Sequence, residues 1–303
     1  IASLINSKLF TLLKVQYSNM LEYRVEIALW AISGIIPFFM LNIWTNNNLN
    51  ESINISDTML SRYFLCAFFV RQFSVVWVVF SFEEDSLMGK VSPYLIQPLN
   101  PFFRYFAQHL AEQITRFPFA LIIAFFFFIF NPESIWIPKL GILLLSIVST
   151  FLSFLIQFLI QSIVACLCFW TEKASSIERL LFIPTLFLSG LLAPVVSFPS
   201  YVKSWIYLTP FPYLIDFPAN LLSGNETNIS GGLSMQILWI FLLFPLFKKI
   251  WSEGTKKYTA MGNPNRCKIH IFISHRGDLK TKFICGIKAG FNLLKICVSS
   301  CTF

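Results

Sequence analysis

The chain has 303 residues, of which 56% are hydrophobic and only 13% are charged, and its formal net charge is +8. An average soluble domain carries about a quarter charged residues, so this composition excludes a soluble globular protein. The positive charge does not require nucleic acid as a partner, because the anionic lipid of an inner membrane leaflet is sufficient. We therefore expect an all-α, polytopic membrane protein that contacts lipid and binds no nucleic acid.

Uncharged apolar runs along the chain predict about six membrane-spanning helices. A spanning helix needs roughly 20 mostly apolar residues, and four uncharged runs reach that length: 27–50, 140–171, 180–202 and 227–247. Two more stretches qualify with help, since 63–82 is interrupted only by Arg71 and 117–132 can extend back over 102–110. The predicted spans are 25–44, 62–82, 110–131, 139–168, 180–198 and 230–249.

The positions of Lys and Arg predict that both termini are cytoplasmic. Cytoplasmic loops near spans carry the excess of these residues. Nineteen of the 23 lie before span one, between spans two and three, between spans four and five, or after span six, and three lie on the opposite side. The first 23 residues mix charged and apolar side chains, and we expect them to form an amphipathic helix at the membrane interface.

The loop after the second span predicts a compact structure rather than a linker. An acidic cluster, a glycine and a short amphipathic piece closed by prolines follow one another, and Gly and Pro are the strongest local signals for turns. The residues are Glu83, Glu84, Asp85, Gly89, Pro93, Leu95 and Pro98. We call residues 83–99 the knuckle; it predicts a short rigid helix presented to the cytoplasm, and an ordinary interfacial loop is the alternative.

Prolines interrupt the chain around and after the fifth apolar run. Pro194 lies near the end of that run, and the apolar and aromatic stretch 201–222 contains Pro210 and Pro212. Backbone groups freed by proline cannot face lipid unpaired, so such a segment must be buried in protein or line a wet cavity. We expect a partly re-entrant hairpin on the outer side of the membrane.

Ionisable side chains within a span are costly and usually mark a pathway. Arg71 is the ionisable side chain that the predicted spans place deep in the membrane, and we interpret it as a gate or an anion contact. The alternative is a side chain that snorkels to the interface or pairs across the bundle. His109 is interpreted as lying outside the spans. Cys267, His270, His275 and Cys285 are too irregularly spaced to predict zinc, so we expect no metal site and no catalytic residues.

The sequence contains no motif that would bind ATP as an energy source for transport. ATP is commonly held by a glycine-rich phosphate loop, G-x-x-x-x-G-K-[ST], and no segment of the 303 residues matches that pattern. If ATP drives the protein, another chain binds it. We therefore expect no cofactor bound by this chain and no enzymatic activity of its own.

Taken in order, these features resemble the membrane subunits of type-two ATP-binding-cassette exporters, especially the bacterial branch whose permease and ATPase are separate chains. The matching segments are GKVSPYLIQPL at 89–99, FWTE at 169–172, LSGLLAP at 188–194, PFPY at 210–213 and YTAMG at 258–262. The resemblance covers about residues 4–262, which we take as the permease domain. The basic tail 263–303 has no counterpart in it.

The resemblance implies a permease subunit that forms the export path for a lipid, drug or polymer in a bacterial inner membrane. It also implies a second permease subunit, identical or different, and ATP-hydrolysing partner subunits that bind the ATP. The knuckle would be the coupling contact with the ATPase, while Arg71, Pro194, Pro210 and Pro212 would belong to the path or its gate. The alternative is a secondary transporter or channel, which should show inverted repeats or buried carboxylates.

Overall fold

The computed structural model describes residues 2–22, 24–46, 56–97, 99–171, 173–225 and 228–258. Pro98, the tail 263–303 and its cysteines and histidines lie outside the described residues. Within them the chain forms α-helices, short 3-10 turns and no strand. The helices are α1 (Ala2–Glu22), α2 (Arg24–Ser33), α3 (Ile36–Asn46), α4 (Asp57–Ser74), α5 (Val78–Leu87), α6 (Val91–Ile96), α7 (Phe102–Phe130), α8 (Leu140–Cys166), α9 (Ala174–Leu188), α10 (Ser200–Ile206), α11 (Asp216–Ser223) and α12 (Ile229–Lys257).

Five helical segments within the described residues are long and apolar enough to cross a membrane. They are Val25–Asn46, Asp57–Leu87, Phe102–Phe130, Leu140–Phe169 and Ile229–Lys257. They coincide with predicted spans one, two, three, four and six, and many of their outward side chains are large and apolar, for example Phe125, Ile147 and Phe241. The prediction of an all-α polytopic membrane protein is confirmed.

The chain between residues 174 and 223 departs from the predicted continuous span at 180–198. Helix α9 ends at Leu188, Gly190 adopts a positive φ of 87°, and two short helices with 3-10 turns follow. The exposed backbone groups of this broken segment are bonded by the bundle. The indole of Trp44 donates to Leu192 O at 3.1 Å, and that of Trp136 donates to Leu222 O at 3.4 Å.

Helix α8 lies at the centre of the bundle, where it packs against α4, α5, α9, α11 and α12. A buried polar network joins it to α12: the Gln236 amide donates to Ser153 Oγ and to Tyr213 O, both at 3.0 Å, and its oxygen accepts from Ser149 Oγ at 3.0 Å. Buried polar groups are tolerated when they are fully bonded. This network fixes α12 and the proline-rich segment against α8.

The second span is not one continuous helix. Residues 75–77 are non-helical, so that α4 ends at Ser74 and α5 begins at Val78. No proline or glycine occurs here, and the sequence analysis does not predict the interruption. Helix α5 continues directly into the knuckle, so only its first five residues, 78–82, separate the interruption from the knuckle.

Candidate functional site

The knuckle is a helix–turn–helix in which α5 is followed by the short helix α6. Gly89 has φ 73° at the turn, a conformation that favours glycine. Val91 at the start of α6 is fully buried. The Ser92 hydroxyl lies 3.2 Å from that of Tyr258, just beyond α12. The knuckle is therefore tied to the end of the last span rather than left as a loose loop.

A cluster of aromatic rings supports the knuckle from inside the bundle. The ring of Phe82 on α5 contacts Phe102, Phe169 and Trp251, with centroids 5.4–6.3 Å apart. Gly254 on α12 permits this packing, because a Cβ atom there would overlap the ring of Phe169. The cluster joins α5, α7, α12 and the 3-10 turn Leu167–Phe169 that follows α8, and it makes the knuckle a rigid extension of the bundle.

The three acidic residues of the knuckle have different environments. The Glu83 carboxylate accepts from the backbone N–H of Ser175 at 2.7 Å and from its hydroxyl at 3.1 Å. It thus caps the beginning of α9, where free backbone N–H groups favour an anion. Asp85 accepts from the Tyr105 hydroxyl at 2.7 Å. Only Glu84 is exposed, so it alone of the three is free to contact another molecule.

Apolar side chains surround Glu84 on the surface of the knuckle. Leu87, Met88 and Leu95 are exposed, and Ile96 is 87% exposed. Pro93 is also exposed on α6. Contiguous exposed apolar groups on a polar background commonly mark contact sites for other proteins or for membrane. The knuckle therefore presents a mixed surface that includes the Glu84 carboxylate, the exposed Lys90 side chain and several apolar side chains.

Polar side chains of α7 support the interruption of the second span. The side chains of Arg116 and Gln113 donate to backbone carbonyls, to Gln72 O at 3.5 Å and to Phe73 O respectively. The backbone N–H of Trp77 donates to His109 Nε2 at 3.4 Å. These are backbone groups that a continuous helix would have bonded internally. Their partners on α7 explain how a non-helical segment persists inside an apolar bundle.

Glu112 joins these α7 side chains into one buried unit. Its carboxylate accepts from Arg116 and lies 3.1 Å from His109 Nδ1. Because His109 Nε2 accepts from Trp77, its Nδ1 carries the proton and donates to Glu112. Arg116 and His109 are 4% and 3% exposed, and both lie within Phe102–Phe130, a segment long and apolar enough to cross a membrane, whereas His109 was expected to lie outside the spans.

The sequence does carry a signal for this unit. His109, Glu112, Gln113 and Arg116 recur at spacings of three and four residues, which places them on one face of a helix. The predicted third span starts at residue 110, whereas α7 runs without interruption from Phe102. A polar stripe on an otherwise apolar helix would have indicated a buried partner.

Arg71 lies beside the interruption and lines a cavity between α4, α8 and α9. The cavity measures about 60 Å3, opens partly to the surface, and is also lined by Gln157, Gln161, Glu178 and Ser189. The Arg71 guanidinium makes no hydrogen bond or ion pair with any described residue. The alternative that Arg71 pairs across the bundle is therefore not what the described part of the chain shows.

Two polar atoms at the cavity are buried without a partner among the described residues. They are the side-chain oxygen of Gln161, a residue that is 2% exposed, and the hydroxyl of Ser189, which is fully buried. Glu178 lies near the beginning of α9, outside the five long spans. Burial raises the pKa of its carboxyl, and a hydrogen bond from Gln161 partly offsets that effect.

The prolines assigned to the path do not meet Arg71. Pro194 is buried where it precedes the 3-10 turn Val195–Ser197, Pro212 is buried in the turn Phe211–Tyr213, and Pro210 precedes that turn. None of the three lines the cavity. Among the described residues, no group of three or more His, Cys, Asp or Glu is arranged to hold a metal ion.

Comparison with known families identifies the architecture. The sequence profile described as "ABC-2 family transporter protein" matches residues 54–262. No curated protein matches the chain. The matched region runs from just before the second span to just beyond the last described helix and includes the knuckle, the interruption and the cavity. Because the match covers more than two thirds of the 303 residues, the chain belongs to the ABC-2 family of transporter proteins, as a membrane transport domain rather than an ATPase.

Proposed function

We propose that this chain is the permease subunit of an ATP-driven exporter and forms its translocation path. A separate ATP-binding subunit supplies the energy, and a second permease subunit, identical or different, completes the path in a bacterial inner membrane. The observation that carries the proposal is membership of the ABC-2 family in a chain whose 303 residues contain no phosphate-binding loop.

The knuckle is the proposed contact with the ATP-binding subunit. It combines a rigid support with exposed apolar side chains near Glu84, and exposed apolar patches commonly mark contact sites for other proteins. The other two carboxylates, Glu83 and Asp85, act within the permease, because each is bonded to another helix of the bundle. They hold α5 in position beneath the docking surface.

Helix α5 is the proposed mechanical link between the ATPase contact and the path. It is ten residues long, or about 15 Å at the usual helical rise, and runs from the interruption at 75–77 into the first part of the knuckle. The interruption lies against the cavity that contains Arg71. A displacement of the knuckle would thus reach the cavity through one short helix, and non-helical joints of this kind absorb such motions.

Affinity purification tests the proposal directly. The tagged chain is isolated from native membranes in mild detergent, and partners are identified by mass spectrometry and an ATPase assay. Stoichiometric recovery of an ATP-hydrolysing subunit is the expected result. Isolation without such a subunit, repeated after cross-linking, would favour a secondary transporter, and the buried Glu112 and His109 would then be the first residues to test as a proton relay.

Reversal of the charge at Glu84 is expected to weaken recovery of the ATPase. Glu84→Lys leaves the bundle intact because the side chain is exposed, but it places the wrong charge within the docking surface, where a like-charge contact costs enough to lower recovery about tenfold. Glu133→Lys is the matched control, since Glu133 is exposed at the opposite end of the bundle. Equal recovery with both variants would remove Glu84 from the interface.

A further inference from the structure

We propose that the cavity between α4, α8 and α9 binds the anionic head group of a membrane amphiphile, with Arg71 as the principal contact. The proposal deepens the export function and rests on it, because it assigns a substrate class to the path. It starts from the charge balance around the interruption of the second span.

Among the described residues, no carboxylate forms an ion pair with the Arg71 guanidinium. Glu112, the carboxylate of the supporting unit, is already shared by Arg116 and His109. Arg116 is close enough to act on Arg71 electrostatically and has the same sign. An unpaired charge in a bundle is strongly unfavourable unless a counter-charge is supplied, and a bound anion supplies one.

The lining of the cavity suits a head group that carries anionic oxygens and also a hydroxyl group. Arg71 presents the planar donor set that suits phosphate or carboxylate, and the unpaired Ser189 hydroxyl adds a further donor. The unpaired oxygen of Gln161 can accept from a hydroxyl of the ligand. A volume of about 60 Å3 corresponds to a few water molecules, at about 10–15 Å3 each, which is room for one small head group.

Helix α9 forms one wall of the head-group cavity, which opens partly to the surface. Glu178, Phe182, Thr185 and Ser189 face the cavity from α9 and the residue that follows it. A second stripe, formed by the exposed side chains Leu180, Ile183 and Phe187, faces outward. An amphiphile can therefore place its head group in the cavity while its acyl chains lie on the apolar stripe of α9. A free anion would have no use for that apolar stripe.

Glu178 is the one carboxylate that lines the cavity, and its position limits the repulsion. Eleven residues separate it from Ser189 along α9, or about 16 Å at the usual helical rise. It therefore lies at one end of the cavity while the Ser189 hydroxyl lies at the other. An anion held by Arg71 and Ser189 therefore does not have to displace the Glu178 side chain.

The test measures lipid binding to the full chain by native mass spectrometry, without ATP or any partner. Phosphatidylglycerol is titrated onto the protein in detergent, and phosphatidylcholine is titrated in parallel. We expect phosphatidylglycerol to bind at least tenfold more tightly. Arg71→Gln should weaken its binding about tenfold, since a charge-assisted contact is lost, and Ser189→Ala should weaken it about threefold.

Arg62→Gln is the matched control, because Arg62 lies on the same helix and bonds Ser134 O and Ile135 O outside the cavity. Its phosphatidylglycerol affinity should be unchanged. Ser189→Ala removes a hydroxyl that has no partner among the described residues, so it keeps the fold even if Arg71→Gln does not. Equal retention of the two lipids, or wild-type affinity in both cavity variants, would overturn the proposal.

Competition with inorganic phosphate tests whether the site binds a lipid head group or a free phosphate ion. Displacement of phosphatidylglycerol by millimolar phosphate would keep the anion site but overturn its assignment to an amphiphile. No displacement supports the amphiphile. Because the ATPase is absent from this experiment, a negative result leaves the export proposal standing, and failure to recover an ATPase would leave the lipid-binding result standing.

Discussion

Replacement of Gly190 by alanine is expected to destabilise the folded protein strongly, by about 2–5 kcal/mol in total. Gly190 has φ 87°, and a Cβ atom there would lie 2.5 Å from the Tyr63 hydroxyl and 2.7 Å from Asp216 Cβ. The left-handed conformation alone costs about 1–2 kcal/mol for a residue with a Cβ, and forcing a methyl group into filled space adds about 1–3 kcal/mol. Together these costs are a large part of a typical folding stability.

The overlap at Gly190 falls on the contact that holds the broken segment to α4. The Tyr63 hydroxyl lies 2.7 Å from Gly190 O and 2.8 Å from Asp216 Oδ1, and the N–H of Val195 donates to the same carboxylate oxygen at 3.0 Å. The N–H of Asp216 donates to Ser189 O at 2.8 Å. A methyl group here would separate α4, the end of α9 and α11 at once.

Gly224→Ala is the control that separates the cost of the left-handed conformation from the cost of the steric overlap. Gly224 also has a positive φ, 80°, but nothing lies within 4 Å of the position of its Cβ. Its replacement should cost only the conformational term, about 1–2 kcal/mol. Both variants are compared by size-exclusion profile and thermal melting in detergent. A Gly190→Ala protein as stable as Gly224→Ala would show that the surroundings of Gly190 can move apart without cost.

Loss of Arg116 alone is expected to destabilise the bundle more than loss of Arg116 and Glu112 together. Arg116→Gln leaves the Glu112 carboxylate buried with only His109 as partner and weakens the support of Gln72 O. Removal of one member of a buried ion pair costs about 3–5 kcal/mol, whereas replacement of both charges is often far milder. The Glu112→Gln/Arg116→Gln double variant should therefore recover part of the stability.

A thermal double-mutant cycle in detergent measures this coupling. Arg104→Gln provides the control on the same helix, because Arg104 is exposed and stacks over the Tyr94 ring at 4.6 Å, a contact worth about 0.5–1 kcal/mol at the surface. Additive effects of the two single substitutions would show that Glu112 and Arg116 do not stabilise each other. The interruption at 75–77 would then need another explanation.

The Gly190 and Arg116 substitutions test contacts on two sides of the Arg71 cavity. Gly190 and Asp216 secure the broken segment above the cavity, while Arg116, Gln113 and His109 secure the non-helical joint at its side. Both structures use polar contacts inside an apolar bundle, where an unbonded backbone group costs several kcal/mol. Those contacts allow the helices around Arg71 to be discontinuous, which is what a cavity at this depth requires.

The sequence by itself determined the features that depend on composition and local chemistry. Long apolar runs must be helical in lipid because every backbone group has to be bonded within its own segment, so the spans near 25–44 and 230–249 were predictable. Glycine and proline signalled the turn at Gly89 and the short helix of the knuckle, whereas the fifth span was predicted to continue over 180–198 and α9 ends at Leu188. The family resemblance followed from the order of several sequence segments.

The tertiary structure alone decided which polar groups meet. The interruption at 75–77 has no local signal, since its stability comes from α7 side chains that lie more than 30 residues away in sequence. Likewise, Glu83 and Glu84 are neighbours in sequence, but only Glu83 reaches the N-terminus of α9. Local propensity is weak compared with a buried hydrogen bond, so long-range contacts determined where the helix breaks, which carboxylate is free and why Arg71 faces a cavity.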